Sequence, residues 1–174
     1  VNYKLMLSLF TDQDVLSPLK KAILTHNNTA YTDDNYSTVF DSNITITKKD
    51  NLTLYSHKTT NNFSYQFMSN GMNGPITTVI TLESDFKTIV KITVLLQSEG
   101  AGKVIQTNEN FFDDFIGLVF KDDIEITDNP IEENQIDFDG FAGITNTKNG
   151  FMTGLNNGYL EYYNAFKASF SWGA

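Results

Sequence analysis

Few residues in this chain could carry acid–base or nucleophilic chemistry. His26 and His57 are the two histidines, and cysteine is absent. His26 falls at the end of a predicted helix, where it can interact with the terminal carbonyl groups, and His57 faces outward on a predicted strand. The chain has no Gly-x-Ser-x-Gly elbow, no His-Glu-x-x-His pair and no glycine-rich phosphate loop. The adjacent acids Asp113 and Asp114 serve glycoside hydrolysis only if they are brought to facing positions. The sequence therefore predicts a protein that is not an enzyme.

Acidic residues form a second candidate site. Gln135, Asp137 and Asp139 alternate before Gly140, which is the rhythm of oxygen ligands in a calcium loop with glycine at its bend. Gln replaces the usual first Asp and Asn146 stands where a bidentate Glu is expected, so the match to an EF-hand is poor. A less regular Ca²⁺ site would draw on Asp122, Asp123, Asp128, Asp137 or Asp139. The alternative is a solvated acidic rim. The sequence thus predicts no cofactor, with Ca²⁺ as the one candidate.

Asparagines form a third group, because several match the Asn-x-Ser/Thr glycosylation sequon. The candidates all precede residue 65 and are Asn27, Asn35, Asn43, Asn51 and Asn62. If the chain passes through a glycosylating export route, glycans would lie on these turns and strand ends.

The C-terminal aromatic residues can be interpreted in two ways. Tyr159, Tyr162, Tyr163 and Trp172 could form a sugar-stacking platform or line an apolar pocket. Aromatic side chains in an all-β chain more often belong to the core, which is the interpretation we favour.

Charge and composition exclude several classes of partner. The formal net charge is −9, and the acids are concentrated between Phe111 and Gly140, where Lys121 is the one basic residue. The chain has no arginine. Nucleic acid is excluded as a partner because phosphate binding depends on clustered Lys and Arg. No apolar run approaches the roughly 20 residues that span a bilayer, so no transmembrane segment is predicted.

The elements that must position these residues are mostly strands. Between Asn43 and Gln97, apolar and polar residues alternate in successive runs separated by turn residues, which predicts an antiparallel β-meander. Ser17 and Pro18 are typical of a helix start, and one short helix is predicted near residues 18–26. Residues 36–40 and 104–107 are predicted as further strands, and residues 140–158 as loop or irregular strand. Alternation also predicts a strand at each end of the chain, with the pattern residues Tyr3, Leu5, Leu7, Leu9, Phe166, Ala168, Phe170 and Trp172.

These elements predict one domain over residues 1–174 with an all-β, mainly antiparallel fold. The fold would be a β-sandwich or jelly-roll-like structure, or a closed meander, of about ten strands with the single short helix.

The function predicted from these features is non-enzymatic and structural. The chain would be a subunit of an extracellular filament, a pilus-like fibre or a virion or tail assembly at the cell or virion surface. Copies of the chain would join by β-strand augmentation through a terminal strand. One alternative is a carbohydrate-binding or attachment module with glycans as partners. The other is a barrel that binds an apolar small ligand.

Overall fold

The computed structural model describes residues 12–138 and 145–172. The main elements, in chain order, are α1 (Asp12–His26), α2 (Tyr36–Asn43), β1 (Ile44–Lys49), β2 (Leu52–His57), β3 (Phe63–Asn70), β4 (Pro75–Leu82), β5 (Ile89–Leu96), α3 (Val104–Thr107), β6 (Glu125–Ile126), β7 (Gln135–Ile136) and α4 (Thr145–Phe170). Short 3₁₀ turns lie at Ala101–Lys103 and Asp113–Phe115. No helix within the described residues is both long enough and apolar enough to cross a membrane.

The central sheet is the predicted meander. Its five strands follow one another in the order β1-β2-β3-β4-β5, and each neighbouring pair is antiparallel. The prediction of a mainly antiparallel β fold is confirmed for this sheet. The prediction of a ten-stranded sandwich or jelly roll is wrong, since β1 and β5 are edge strands and the remaining pair, β6 with β7, is short and parallel.

Helices and loops cover both faces of the sheet, and this is why its central strands are apolar on both sides. On one face α1 and α2 pack through Leu19, Ile23 and Phe40 against residues that include Val79. On the other face α4 and the segment 104–138 form the larger core with Ile80 and its neighbours. Strand β4 therefore contributes alternate side chains to two cores.

Several predicted strands are helical instead. Residues 36–40 lie in α2 and residues 104–107 form α3. The predicted C-terminal strand is also wrong, since Phe166, Ala168 and Phe170 lie in α4 and Trp172 follows it. Residues 145–158, expected to be irregular, form the first half of that helix. The predicted helix near residues 18–26 is present, but it begins at Asp12 and carries Pro18 inside it. Tyr3, Leu5, Leu7 and Leu9 lie outside the described residues.

Helix α4 packs unusually close to β3. A Cβ atom added to Gly150 would overlap the carbonyl oxygen of Asn70, and one added to Gly154 would overlap Ser69 and lie 2.7 Å from the carbonyl oxygen of Met68. One added to Gly158 would lie 2.9 Å from Cβ of Phe67. Since the three glycines are four residues apart, they form one stripe along the helix. Only residues without a side chain allow the helix this position.

We expect Gly154→Ala to destabilise the fold by about 1–3 kcal/mol, because the added methyl group overpacks the contact with β3. Helix propensity alone predicts the opposite sign, a gain of up to about 1 kcal/mol. Denaturant unfolding of the wild type and of Gly154→Ala measures the difference in their free energies of unfolding. The matched control is Asn157→Ala at an exposed position of the same helix, where only the propensity gain is expected. A Gly154→Ala variant as stable as that control would show that the helix does not need this close approach.

Candidate functional site

The sheet opens between β2 and β3. Strands β1 and β2 pair along their whole length, whereas β2 and β3 pair only at Tyr55–Ser64 and Ser56–Phe63. Beyond those pairs Leu52 and its neighbours diverge from the second half of β3. The glycine stripe of α4 lies beside this unpaired half, so helix and hairpin form the two walls of a cleft.

The cleft has a volume of about 1230 Å³, which is ample for a cofactor-sized ligand. Leu52, Phe67 and Tyr162 give it an apolar part. Its polar lining includes Thr153 and Asn157 on the exposed face of α4. A ligand that combines a flat ring with a polar chain would match such a surface.

The two ends of the cleft differ in charge. Asp50 and Glu161 lie close together at one end, where they also line a smaller adjoining depression with Leu52. At the other end the lining consists of Asn149 and Gly150 in the first turns of α4 and of the turn at residues 71–74. Helix N-termini carry free N–H groups and a partial positive charge. An anionic group is therefore favoured at the helix end and disfavoured at the Asp50 end.

Two buried hydroxyl groups of β3 lack hydrogen-bond partners within the described residues. Ser69 lines the cleft and is 5% exposed, and its Oγ atom has no hydrogen-bond partner in that part of the chain. The same holds for the hydroxyl of the fully buried Tyr65, whose ring stacks on Tyr162 with centroids 4.2 Å apart. Burial raises the pKa of both tyrosines, so both are neutral. The Tyr162 hydroxyl donates to the carbonyl oxygen of Gln66 at 3.1 Å, which fixes its ring against the β3 edge.

The predicted aromatic residues mostly belong to the core. Tyr159 and Tyr162 are buried, and Tyr163 and Trp172 are half-buried and pack against the same cluster. Trp172 stacks on Phe86 with centroids 3.9 Å apart. These four rings therefore form no exposed row for sugar stacking.

The histidines are structural. His26 lies under the sheet between the hydroxyl groups of Thr81 and Thr93, each 2.7 Å from a ring nitrogen. Burial lowers its pKa to about 3, so the ring is neutral at ordinary pH. His57 accepts from the backbone N–H groups of Thr59 and Thr60 at Nδ1, while Nε2 donates to the Thr29 hydroxyl at 2.8 Å. Burial lowers the pKa of His57 as well. Neither histidine lies in the cleft.

The predicted calcium ligands are dispersed. Asp122, Asp128 and Asp137 are exposed, Asp123 is half-buried, and Asp139 lies outside the described residues. No three His, Asp or Glu side chains within residues 12–138 and 145–172 are grouped to hold a metal ion. Calcium binding stays a prediction.

The predicted glycosylation sites also remain untested. Asn27 is buried, with its amide nitrogen bonded to the carbonyl oxygen of Ile23 at 2.7 Å. The amide nitrogens of Asn43 and Asn62 donate within the fold, and the side-chain oxygen of Asn35 accepts a backbone bond. Asn51 is exposed at the β1–β2 turn and lines the cleft.

Known proteins add a family and a fold to this geometry. The family profile described as FMN-binding domain matches residues 71–159. NqrC of Shewanella oneidensis superposes with a TM-score of 0.73 at 12% identity, over 90% of this chain and 98% of that one. One subunit of the Na⁺-translocating NADH-quinone reductase of Parabacteroides distasonis superposes with a TM-score of 0.64 at 18% identity, over 89% of this chain and 92% of that one. At such identities the likeness shows the fold. No curated protein matches the chain significantly.

These findings overturn the predicted function. The predicted filament, pilus-like or virion subunit is wrong, because the family profile is that of an FMN-binding domain and one of the two similar structures is a subunit of an NADH-quinone reductase. The homopolymer joined by strand exchange and its placement at an extracellular or virion surface are wrong for the same reason, and the C-terminal donor strand is a helix. The prediction of no cofactor is wrong as well. The two alternative functions are wrong as well. The open sheet is not a barrel for an apolar ligand, and the FMN-binding family is not a family of carbohydrate-binding or attachment modules.

Sequence reasoning missed the cleft for an identifiable reason. Its walls come from residues far apart in the chain, such as Asp50 and Glu161, and no local motif marks them. A signal was present in Gly150, Gly154 and Gly158, whose four-residue spacing matches one face of a helix.

The buried His26 predicts a loss of stability on mild acidification. Its pKa falls from 6.5 to about 3 on folding, so between these values the unfolded chain binds more protons than the folded one. The stabilisation is complete above pH 6.5 and is lost as the pH falls toward 3. Between pH 7 and pH 5 we expect a loss of about 2 kcal/mol from this residue.

Urea unfolding at a series of pH values measures this loss. His26→Gln should flatten the dependence between pH 7 and pH 5, whatever its effect on stability at pH 7. The control His57→Gln should keep the loss of stability that comes from His26 between pH 7 and pH 5. An unchanged slope in His26→Gln would show that His26 titrates normally in the folded protein.

Proposed function

The chain belongs to the FMN-binding domain family, and on that premise we propose that it binds FMN in the cleft and serves as an electron-transferring flavoprotein subunit. The observation that carries this proposal is the position of the matched range. Residues 71–159 include the turn at one end of the cleft and the face of α4 as far as Gly158.

The residues present fit the chemical groups of FMN. The phosphate would be held at the helix end of the cleft, near Asn149, Gly150 and the turn at residues 71–74, because that end lacks the paired acids found at the other. A chain without arginine has to rely on backbone N–H groups and lysine for an anion. The ring system would contact the apolar part of the cleft, including Leu52 and Tyr162.

A bound flavin accepts and donates one or two electrons, and the protein supplies binding, orientation and electrostatics. The residues of this chain would exclude water from one face of the ring and hold the phosphate. We therefore propose that the chain contributes a flavin to a larger reductase, which is supported by its likeness to a subunit of an NADH-quinone reductase. Its partners would be other subunits of that reductase.

Titration of FMN into the purified protein, followed by quenching of flavin fluorescence, tests the cleft. Thr153 is exposed on α4 and lines the cleft, so Thr153→Trp should obstruct it and weaken FMN binding by about tenfold or more. Ala168→Trp, at an exposed position of the same helix outside the cleft, should bind within about twofold of the wild type.

The loaded protein should also take up electrons from dithionite and return them to a soluble quinone analogue, with the flavin absorbance falling and recovering. Equal FMN affinity in the two tryptophan variants would place the flavin outside the cleft. A wild-type protein that binds no FMN would contradict the proposed function itself.

A further inference from the structure

One carboxylate, that of Glu99, joins three segments at the helix end of the cleft. The backbone N–H of Met72 donates to Oε1 at 2.6 Å and that of Asn73 donates to Oε2 at 2.7 Å. The hydroxyl of Thr147, in the first turn of α4, donates to Oε1 at 2.7 Å. Glu99 thus connects the β3–β4 turn, the loop after β5 and the start of α4.

The surrounding residues are shaped to admit this side chain. A Cβ atom at Gly71 would overlap the carboxylate, and one at Gly102 would lie 3.1 Å from both Cβ of Glu99 and the hydroxyl of Thr147. The backbone of Glu99 is fixed as well, since its N–H donates to the side-chain oxygen of Gln97 at 2.6 Å. The Gln97 amide in turn donates to Gln106 at 3.0 Å.

Glu99 is charged in this setting. Its side chain is 7% exposed, and burial by itself would raise its pKa. The bonds from Thr147 and from the N–H groups of Asn73 and Met72 outweigh burial, and the net pKa lies below the ordinary value. A buried carboxylate that accepts three bonds fixes its donors, because leaving it unsatisfied is costly.

The donors of these bonds adjoin the cleft lining. Met72 and Asn73 lie between Gly71 and Gly74, and Thr147 lies two residues before Asn149. The positions of the turn and of the first turn of α4 at this end therefore depend on Glu99. The carboxylate also occupies the N–H groups of Met72 and Asn73, so these two donors are not free for an incoming anion.

We propose that Glu99 is a positioning residue for the phosphate end of the FMN site. It does not contact the reacting part of the flavin. It holds the turn at residues 71–74 against the start of α4, and so fixes the end of the cleft at which the phosphate would lie. This inference rests on the proposed function, and FMN and riboflavin differ only in the group concerned.

The test compares the affinities of FMN and riboflavin for the wild type and Glu99→Gln. A glutamine offers one acceptor oxygen and turns an NH₂ group toward a backbone N–H, so the three bonds cannot all form. We expect Glu99→Gln to weaken FMN binding by about tenfold or more and riboflavin binding by less than about threefold.

Thr147→Val should weaken FMN binding to a smaller degree, and Thr147→Ser should restore it. The exposed Glu109→Gln is the charge-matched control and should match the wild type.

Amide hydrogen exchange on the flavin-free protein tests independently whether Glu99 holds the turn at residues 71–74. Glu99→Gln should accelerate exchange at Met72 and Asn73 and leave that of Val79, in the centre of β4, unchanged. If Glu99→Gln lost affinity for FMN and riboflavin equally, or kept its FMN affinity, the positioning role would be overturned. Faster exchange at Val79 would overturn it too, because it would show general loosening. A wild-type protein that binds neither flavin would refute the proposed function, while exchange at Met72 and Asn73 would still show whether Glu99 holds the turn.

Discussion

The fold depends on the contact between the glycine stripe of α4 and the unpaired half of β3. The carbonyl oxygens of Met68 and Asn70 face Gly154 and Gly150, where any side chain would intrude. The helix therefore takes the place that a paired β2 would otherwise occupy, and glycine Cα–H groups facing carbonyl oxygens are weak donors that suit this arrangement. Because β2 is displaced, the cleft exists. Because α4 is fixed along β3, its N-terminus lies beside the β3–β4 turn.

Electrostatics then make the two ends of the cleft different in their preference for an anion. A chain with a net charge of −9 and no arginine is poorly equipped to hold a phosphate by side-chain charge. Asp50 and Glu161 make one end unfavourable for an anion, and the helix N-terminus makes the other favourable. Glu99 lies near the favourable end, but its charge is matched by the donors of Met72, Asn73 and Thr147. The same bonds that satisfy this carboxylate fix the two segments that form the end of the cleft.

The meander could be predicted because alternation is a local signal and each hairpin joins neighbouring strands. Helix α4 could not be predicted by the same reasoning, for a physical reason. Alternation at Phe166, Ala168, Phe170 and Trp172 resembles a strand, although Phe166 and Phe170 also share one helical face. The longer series Phe151, Leu155, Tyr159, Tyr162 and Phe166 has helical spacing and is buried. Three interspersed glycines concealed it, because glycine usually weakens a helix, and here tertiary packing outweighs that preference.

The candidate site was hidden for a different reason. Glu99 is a single acid in a turn, and its partners lie 26 to 48 residues away in the sequence, so no spacing rule connects them. The functional error followed from treating the lack of a catalytic motif as evidence for a structural protein. A cofactor-carrying domain does not need such a motif, because the cofactor supplies the reactivity and the chain supplies a shaped cleft with satisfied polar groups. Backbone N–H groups and glycines can form such a cleft, and neither produces a distinctive pattern of reactive side chains.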